Sequence, residues 1–478
     1  MKGINYKVVL GVAPTKRDDP AFLYAKALEN KVPLYEKLKE LGIEFVDIDD
    51  VCPHGIMMSM DDVAAVEKKF RAAGVNAVFI PHVMYGSEPA CAWLAKRMNL
   101  PTLMWGPRDP KGNLTGGKTQ IGVFPVGKAL GMVGAPFTYI PTCYLDDPMF
   151  EKGLRAFFAV ARVVNNFRNM RILQVGTRPE TFWACIVNEG EMLSKFGIYT
   201  YPIEVSELVA KARWYMENQE ERCRQLAAEI EAQVELNCVK EVLFKSAGMK
   251  FALEEYAEKT GATGVAIQCW YEMQKQLGIW PCTAGAILAT EGLPVICETD
   301  VLGAISCILA QAATGGEPYP HFADFFSRHP ENDNGECAGH CGVTPFCMIE
   351  GKPGIARRLP PHDQTWGGGV TGPIKKSDRM TFMRLDQENG EYKLLLGRAK
   401  AIDGPPVGQP ASYTWFEVEN WPELEYKLVQ GPFVHHVAII NEDITAILCE
   451  ATRYMKGVTP YFPFDSDRKA AESYFYTE

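Results

Sequence analysis

The 478-residue chain has no apolar stretch approaching the roughly 18 residues a membrane-spanning helix needs, so no transmembrane segment is expected. It also lacks an excess of positive charge: Lys plus Arg at 49 against Asp plus Glu at 59 leaves a formal charge of −10, which argues against a nucleic-acid partner. The opening segment MKGINYKVVLGVAP has no charged-then-apolar leader and no small-residue cleavage site, so no signal peptide is expected. The 14 cysteines do not form a spaced framework. They are scattered as single small apolar residues (Cys52, Cys91, Cys143, Cys185), the usage of reduced thiols in a cytoplasmic protein. No tandem repeat or low-complexity tract is present, and histidine is scarce, at 8 residues.

What is there is the composition of a folded globular chain, 47% hydrophobic and 23% charged. At about 100–200 residues per domain the length predicts two to four domains. Residues 1–170 alternate strand-like and helix-like segments: Tyr6–Val12, a helix over 20–41, Ile43–Ile48, a helix over Asp61–Ala73, Ala77–Ile80, a helix over Pro89–Met98, then Pro101–Trp105. This order predicts an open, doubly wound parallel sheet, which binds ligands beyond the carboxyl ends of its strands. After a helical span over Asp147–Asn169, Arg171–Gly176 restarts the pattern, so a second α/β domain is expected over 171–315. Residues 316–478 turn to Gly, Pro and alternating strand patterns, with Glu388-Asn-Gly-Glu391 as a hairpin turn. That last third is expected to be β-rich and barrel-like or sandwich-like. The fold class is therefore α/β, with two doubly wound domains followed by a β-rich C-terminal domain.

Gly112-Asn-Leu-Thr-Gly-Gly117-Lys118-Thr119 spells a phosphate-binding loop, in which backbone N–H groups and a lysine hold nucleotide phosphates. Its context argues against that function, because six residues including two prolines separate Trp105 from Gly112 and Ile121–Val126 is expected to be extended. Cys337, His340, Cys341 and Cys347 offer thiolate and imidazole ligands for a structural zinc, but without a second pair at finger-like spacing.

The eight histidines are His54, His82, His321, His329, His340, His362, His435 and His436. His54 and His329 read as hydrogen-bonded structural residues. The adjacent pair differs, because on a strand His435 and His436 face opposite sides and burying both as inert rings would need two partners. Pro294-Val-Ile-Cys-Glu298-Thr-Asp300 ends a buried-type strand in carboxylates, and a helix follows. Capping that helix accounts for Asp300 but not for Glu298. Asp324 lies inside the apolar stretch Phe322–Phe326, where a carboxylate needs a partner. One Glu, one Asp and one or two His make an oxygen/nitrogen set suited to Mn²⁺ or another divalent ion with positions open to a polyol.

Val12-Ala-Pro-Thr15, Gly106-Pro-Arg108, Gln268-Cys-Trp270, Pro281-Cys-Thr283, Cys297-Glu-Thr-Asp-Val-Leu-Gly-Ala304 and His435-His-Val-Ala438 fall in an order that resembles the L-fucose/L-arabinose isomerase family. The cysteine-glutamate-x-aspartate segment and the double histidine are the specific ones. The resemblance implies two Rossmann-like domains and a β-rich third domain, with Glu298 in the second and Asp324 and His436 in the third. It also implies a metal-dependent aldose–ketose isomerase, with Glu298, Asp324 and His436 as ligands of a divalent ion, Mn²⁺ first. His340, 16 residues after Asp324, and His435 are expected as further ligands or substrate contacts.

The reaction implied is isomerisation through a metal-bound cis-enediol or enediolate, with Glu298 and Asp324 as the acid–base pair. Gln268, Trp270, Trp105 and Arg108 are expected to contact the sugar, and Arg17 and Arg178 to bind an anionic substituent. The substrate is then a deoxyhexose, a pentose or a modified hexose such as the sulfonated sugar sulfoquinovose. A homo-oligomer, hexameric in the family, is implied too. The alternatives are a non-catalytic sugar-binding protein and a phosphate-loop sugar kinase.

Overall fold

The computed structural model describes residues 3–109, 112, 118–168, 170–357 and 367–477. His362 and most of the Gly112–Thr119 loop lie outside these residues. The chain forms two compact units. One comprises Lys7–Asn165, Cys449–Tyr454 and Lys469–Glu478; the other comprises Met1–Tyr6, Asn166–Leu448 and Met455–Arg468. The second α/β segment and the β-rich segment thus share one unit, and two short pieces of the last third belong with the N-terminal one.

In the N-terminal unit, β1 (Leu10–Val12), β2 (Phe45–Val46), β3 (Ala77–Pro81), β4 (Thr102–Trp105) and β5 (Thr138–Tyr139) form an all-parallel sheet in the order β2-β1-β3-β4-β5. Every residue of β3 and β4 is buried, as expected of parallel strands covered on both faces. Helices α1 (Tyr24–Glu40), α2 (Met60–Ala72), α3 (Glu88–Met98), α4 (Thr119–Met132) and α5 (Pro148–Phe167) alternate with these strands. The start of α2 is set locally: Ser59 accepts the Asp62 N–H while the Asp62 carboxylate accepts the Ser59 N–H, a reciprocal capping box.

One expectation fails here. Ile121–Val126, read as extended, lies inside α4. Gly122, Val123, Val126 and Leu130 are buried while Ile121, Phe124 and Met132 are exposed, so helical spacing of the buried face overrides the strand-like composition.

The larger unit contains a four-stranded parallel sheet of β6 (Arg171–Val175), β7 (Tyr199–Ile203), β9 (Gly264–Ile267) and β10 (Val295–Ile296), in the order β10-β9-β6-β7. It also contains a ten-stranded sheet built from β8 (Glu235–Asn237), β11 (His321–Arg328), β12 (Gly335–His340), β13 (Gly354–Arg357), β14 (Gly367–Pro373), β15 (Met380–Glu388), β16 (Glu391–Ala401), β17 (Ser412–Glu417), β18 (His436–Ile440) and β19 (Val458–Tyr461).

Within that sheet the run β16-β15-β18-β11-β12-β17 closes on itself, because β16 also pairs with β17. The barrel-like architecture expected of the last third is thus present. Its core contains Ala323, Ala338, Phe382, Phe416, Val437 and Ile439. The β15–β16 hairpin turns through Asn389 (φ 51°) and Gly390 (φ 84°), between the paired residues Glu388 and Glu391. Two successive positive φ values are what an Asn-Gly turn of the I′ type supplies.

Candidate active site

The site lies within the larger unit, where the end of β10 meets the barrel strands β11, β12 and β18. Alternation on β18 sends Val437 and Ile439 into the barrel core and leaves His436 on the opposite face. Register places Asp324 of β11 directly across from His436. Glu298 follows β10 in a tight turn, Cys297–Thr299, where Glu298 takes φ 62° and Thr299 φ 54°. The left-handed region costs a non-glycine residue about 1–2 kcal/mol, so backbone strain is stored where the carboxylate is presented.

These segments bring one carboxylate–histidine cluster together. The His436 Nε2 atom lies 3.0 Å from Glu298 Oε2 and 3.6 Å from Asp324 Oδ1. Asp324 Oδ1 is also 3.9 Å from His340 Nε2 and 3.8 Å from His435 Nε2. The indole N–H of Trp270 donates to Glu298 Oε1 at 3.0 Å, which fixes the other carboxylate oxygen toward the histidine. Phe322 packs against both His340 and His436, with ring centroids 5.2 Å away in each case.

A second layer sets the orientation of His436. Its Nδ1–H donates to Asp300 Oδ2 at 2.8 Å, which leaves Nε2 as the free nitrogen facing the cluster. Asp300 also caps the helix Val301–Thr314 by accepting the Gly303 N–H, as expected from sequence. Arg384 donates to both Asp300 oxygens, at 2.7 and 3.3 Å, and to Asp386 at 2.8 Å.

Burial acts on every charge here. It pushes the Asp300 carboxyl up, but the Arg384 charge and the His436 bond outweigh it and hold the group well below the usual carboxylate range. Burial likewise opposes ionisation of Glu298, and the neighbouring His436, with the charge of His340, brings its carboxyl below the ordinary value. For Asp324 burial prevails over its three histidine neighbours, and the carboxyl is raised. The two carboxyl groups are thus pushed in opposite directions.

The donor set fits a divalent ion. His436 Nε2 and Asp324 Oδ1 are buried yet have no hydrogen-bond partner, and His436 Nε2 faces Glu298 Oε2 without a properly aligned hydrogen bond. Ligand atoms of Glu298, His340 and His436 all lie within 4.8 Å of one another, and so do those of Asp324, His435 and His436. Buried polar atoms left open at such spacing are what a shared cation would satisfy. The zinc reading of Cys337 and Cys347 finds no support among the described residues: Cys337 is fully buried, Cys347 is exposed, and neither belongs to a ligand cluster.

Glu298, Asp324, His340 and His435 open onto a cavity of 300 Å³. Phe182 and Trp270 line it too, and they also line an adjoining cavity of 790 Å³ that contains Arg178, Gln268 and Tyr271. Arg178 is the only basic side chain among the described residues of that larger cavity. Gln268 accepts the Thr177 N–H through its side-chain oxygen.

Three expected contacts belong to the N-terminal unit. Trp105 is a core residue there, 1% exposed, packed on Phe150 with its N–H directed at Cys143 Sγ, so its expected role as a sugar contact is not met. Arg108 is exposed and stacks over Tyr144, and Arg17 pairs with Glu88 at 2.8 Å. Lys118 of the glycine-rich loop lies over the Phe22 ring. Sequence reasoning missed Arg384, Phe182 and the second role of Asp300. The only signal for Arg384 was a charged residue inside the apolar stretch Met380–Leu385.

Residues 11–168 match the family model described as fucose/sulfoquinovose isomerase, N-terminal domain. A sulfoquinovose isomerase from Priestia aryabhattai is 22% identical over 422 residues, covering 86% of this chain and 91% of that protein. One from Alkalicoccus urumqiensis is 23% identical over 410 residues, covering 84% and 89%. A third, from Clostridium sp. (strain MSTE9), is 22% identical over 363 residues, covering 74% and 78%. Among solved structures, a periplasmic sugar-binding protein of an ABC transporter from Legionella pneumophila overlays with a TM-score of 0.15 at 11% identity, covering 65% of this chain and 96% of that one. A likeness that slight carries no argument.

The protein is thus an enzyme of the aldose–ketose isomerase class. The family model over residues 11–168 and the sulfoquinovose isomerase relatives along most of the chain support the L-fucose/L-arabinose isomerase family that the sequence resembles.

Proposed function

We propose that the chain interconverts a sulfonated aldohexose of the sulfoquinovose type and its ketose, at a site built from Glu298, Asp324 and His436. The observation that carries this reading is the pair of carboxyl groups facing one cavity, with the buried and unpartnered Asp324 Oδ1 and His436 Nε2 between them. The names of the curated relatives and the single arginine in the adjoining cavity support a sulfonated substrate over a plain sugar.

Glu298, Asp324 and His436 would hold a divalent ion, Mn²⁺ first, with His340 and His435 at its edge. Bound there, the ion supplies Lewis-acid polarisation of the substrate oxygens. The rest is the work of this chain's residues. The ionised carboxylate takes the C2 proton, the other carboxyl serves the carbonyl oxygen, and the proton returns at C1 to give the ketose. The Trp270 N–H keeps one Glu298 oxygen oriented during that transfer. Phe182 and Trp270 line both cavities and place aromatic surface beside the reacting groups.

Arg178 reads the sulfonate and Gln268 the hydroxyls in the larger cavity. The reading takes the protein to be a cytoplasmic homo-oligomer, hexameric as in the family. Steady-state kinetics on sulfoquinovose and glucose test the substrate. Arg178→Met is expected to raise KM for the sulfonated sugar by about tenfold to a hundredfold, the worth of a charge-assisted hydrogen bond, and to leave KM for glucose alone. An equal effect on both sugars would remove Arg178 as the sulfonate reader.

A further inference from the structure

A further cavity, of 290 Å³, is lined by residues of β11, β12 and the helix Trp421–Gln430 in the larger unit. That is close to the roughly 300 Å³ at which small-molecule sites begin. Phe325, Phe326, Trp421, Leu428 and Phe433 give it apolar, mostly aromatic walls, and Glu336 of β12 lies among them. Glu336 is 3% exposed, and its Oε2 atom is buried without a hydrogen-bond partner. Native folds rarely leave a buried carboxyl oxygen unmatched, because its desolvation is then uncompensated. Burial outweighs the nearby Arg328 charge and pushes the Glu336 pKa up to about 8, so the surrounding residues do not make up for the lost water.

The chemistry of a missing partner follows from the charges that line the cavity. Two carboxyl groups, Glu336 and the exposed Glu425, face one guanidinium, that of the exposed Arg328. Arg328 already donates to the Asp333 carbonyl oxygen at 2.7 Å. The balance favours a cation over an anion. Among the described residues Glu336 belongs to no metal-ligand group, so an organic cation fits better than a metal ion. We propose that this cavity binds a small primary amine with an apolar body, its ammonium group on Glu336 Oε2 and its hydrocarbon against the aromatic walls. On binding, the carboxyl proton passes to solvent and the ammonium takes its place as a charge-assisted donor. Trp421 Nε1 is buried and unpartnered too, and a hydroxyl on the same ligand would accept its N–H.

Phe326 and His435 line both this cavity and the 300 Å³ cavity of the candidate active site, where Glu298 and Asp324 are competing partners for an amine. The proposal does not rest on the isomerase reading, and its test separates the two cavities. Calorimetric titration of the full-length protein, with Mn²⁺ present and phenethylamine as the probe, should show saturable binding of one amine per chain. The neutral analogue 2-phenylethanol should bind about tenfold to a hundredfold more weakly, the worth of a charge-assisted hydrogen bond. Glu336→Gln should weaken the amine by the same factor and leave the alcohol unchanged, whereas Asp324→Asn should leave amine binding intact. The comparison of the two probes needs no variant, so it holds whatever Glu336→Gln does to folding. No saturable binding, equal affinity for amine and alcohol, or amine binding that is lost in Asp324→Asn and kept in Glu336→Gln would overturn the inference.

Discussion

Arg384→Met is the substitution that probes the architecture of the site most sharply. The guanidinium is 1% exposed and its three charge-assisted bonds go to Asp300 and Asp386, which are buried as well. Methionine keeps most of the aliphatic stem, so little cavity opens and the main loss is the charge. Removing one partner from a buried ion pair costs about 3–5 kcal/mol, because the remaining charge is left without compensation. Against a typical total of about 5–15 kcal/mol, that is a large share of the stability. Asp300 keeps the Gly303 N–H and the His436 Nδ1–H as donors, and Asp386 keeps the Gln387 N–H, which argues for the lower half of the range.

Urea denaturation followed by tryptophan fluorescence at neutral pH measures the loss, and Arg384→Lys, which retains the charge but not the planar fork, should fall between the two. Combining Arg384→Met with Asp300→Asn should cost clearly less than the sum of the single changes, since the two groups are in direct contact. A second consequence concerns His436. With Asp300 no longer held by Arg384, the imidazole is less firmly aimed, and Mn²⁺ affinity measured by calorimetry should drop about 10- to 100-fold. A stability loss below about 1 kcal/mol, or strict additivity in the double variant, would refute the reasoning.

Two further outcomes are expected. Glu298→Gln and Asp324→Asn should each abolish isomerisation under saturating metal while leaving circular dichroism unchanged, and wild-type turnover in either would dismiss the acid–base assignment. Glu336 on β12 is driven by burial to a carboxyl pKa of about 8, from an ordinary value of 4.5. The folded state therefore holds this proton more tightly than the unfolded chain does. The associated stability is fully present below pH 4.5 and is lost as pH rises through 8. Glu336→Gln, neutral throughout, should melt at a higher temperature than the parent above that pH, with the gap closing toward acid; a constant gap across the range would contradict the assignment.

Much of this site is legible in the sequence because it is built from local signals. Glu298 ends a short apolar strand, Asp324 interrupts an apolar stretch, and the paired histidines must split between two faces of a strand; in the folded chain all of them line or adjoin one cluster. The Asn-Gly hairpin is readable for the same reason, since two adjacent positive-φ positions specify one turn. What is not legible depends on distant partners. Arg384 lies 84 residues from Asp300, and on an isolated strand it is indistinguishable from a solvent-facing charge.

Ile121–Val126 carries β-branched residues and a proline, yet packing of the buried face of α4 decides its conformation. Trp105 shows the converse error, because an aromatic at a strand end suits a ligand contact and a core equally well. The β8 strand Glu235–Asn237 sits in charged, helix-like surroundings and is defined by its parallel pairing with β13, 119 residues further on at Gly354 to Ala356.

The central claim is that Glu298 and Asp324 move a proton between C1 and C2 of a sugar held beside a divalent ion. The most direct measurement is NMR-detected deuterium incorporation at C2 of sulfoquinovose in D₂O, with chelator present and then with Mn²⁺ added back. The account predicts exchange and ketose formation that depend on the metal and disappear in Glu298→Gln. Absence of exchange in the folded, Mn²⁺-loaded protein, or exchange undiminished in Glu298→Gln, would contradict it.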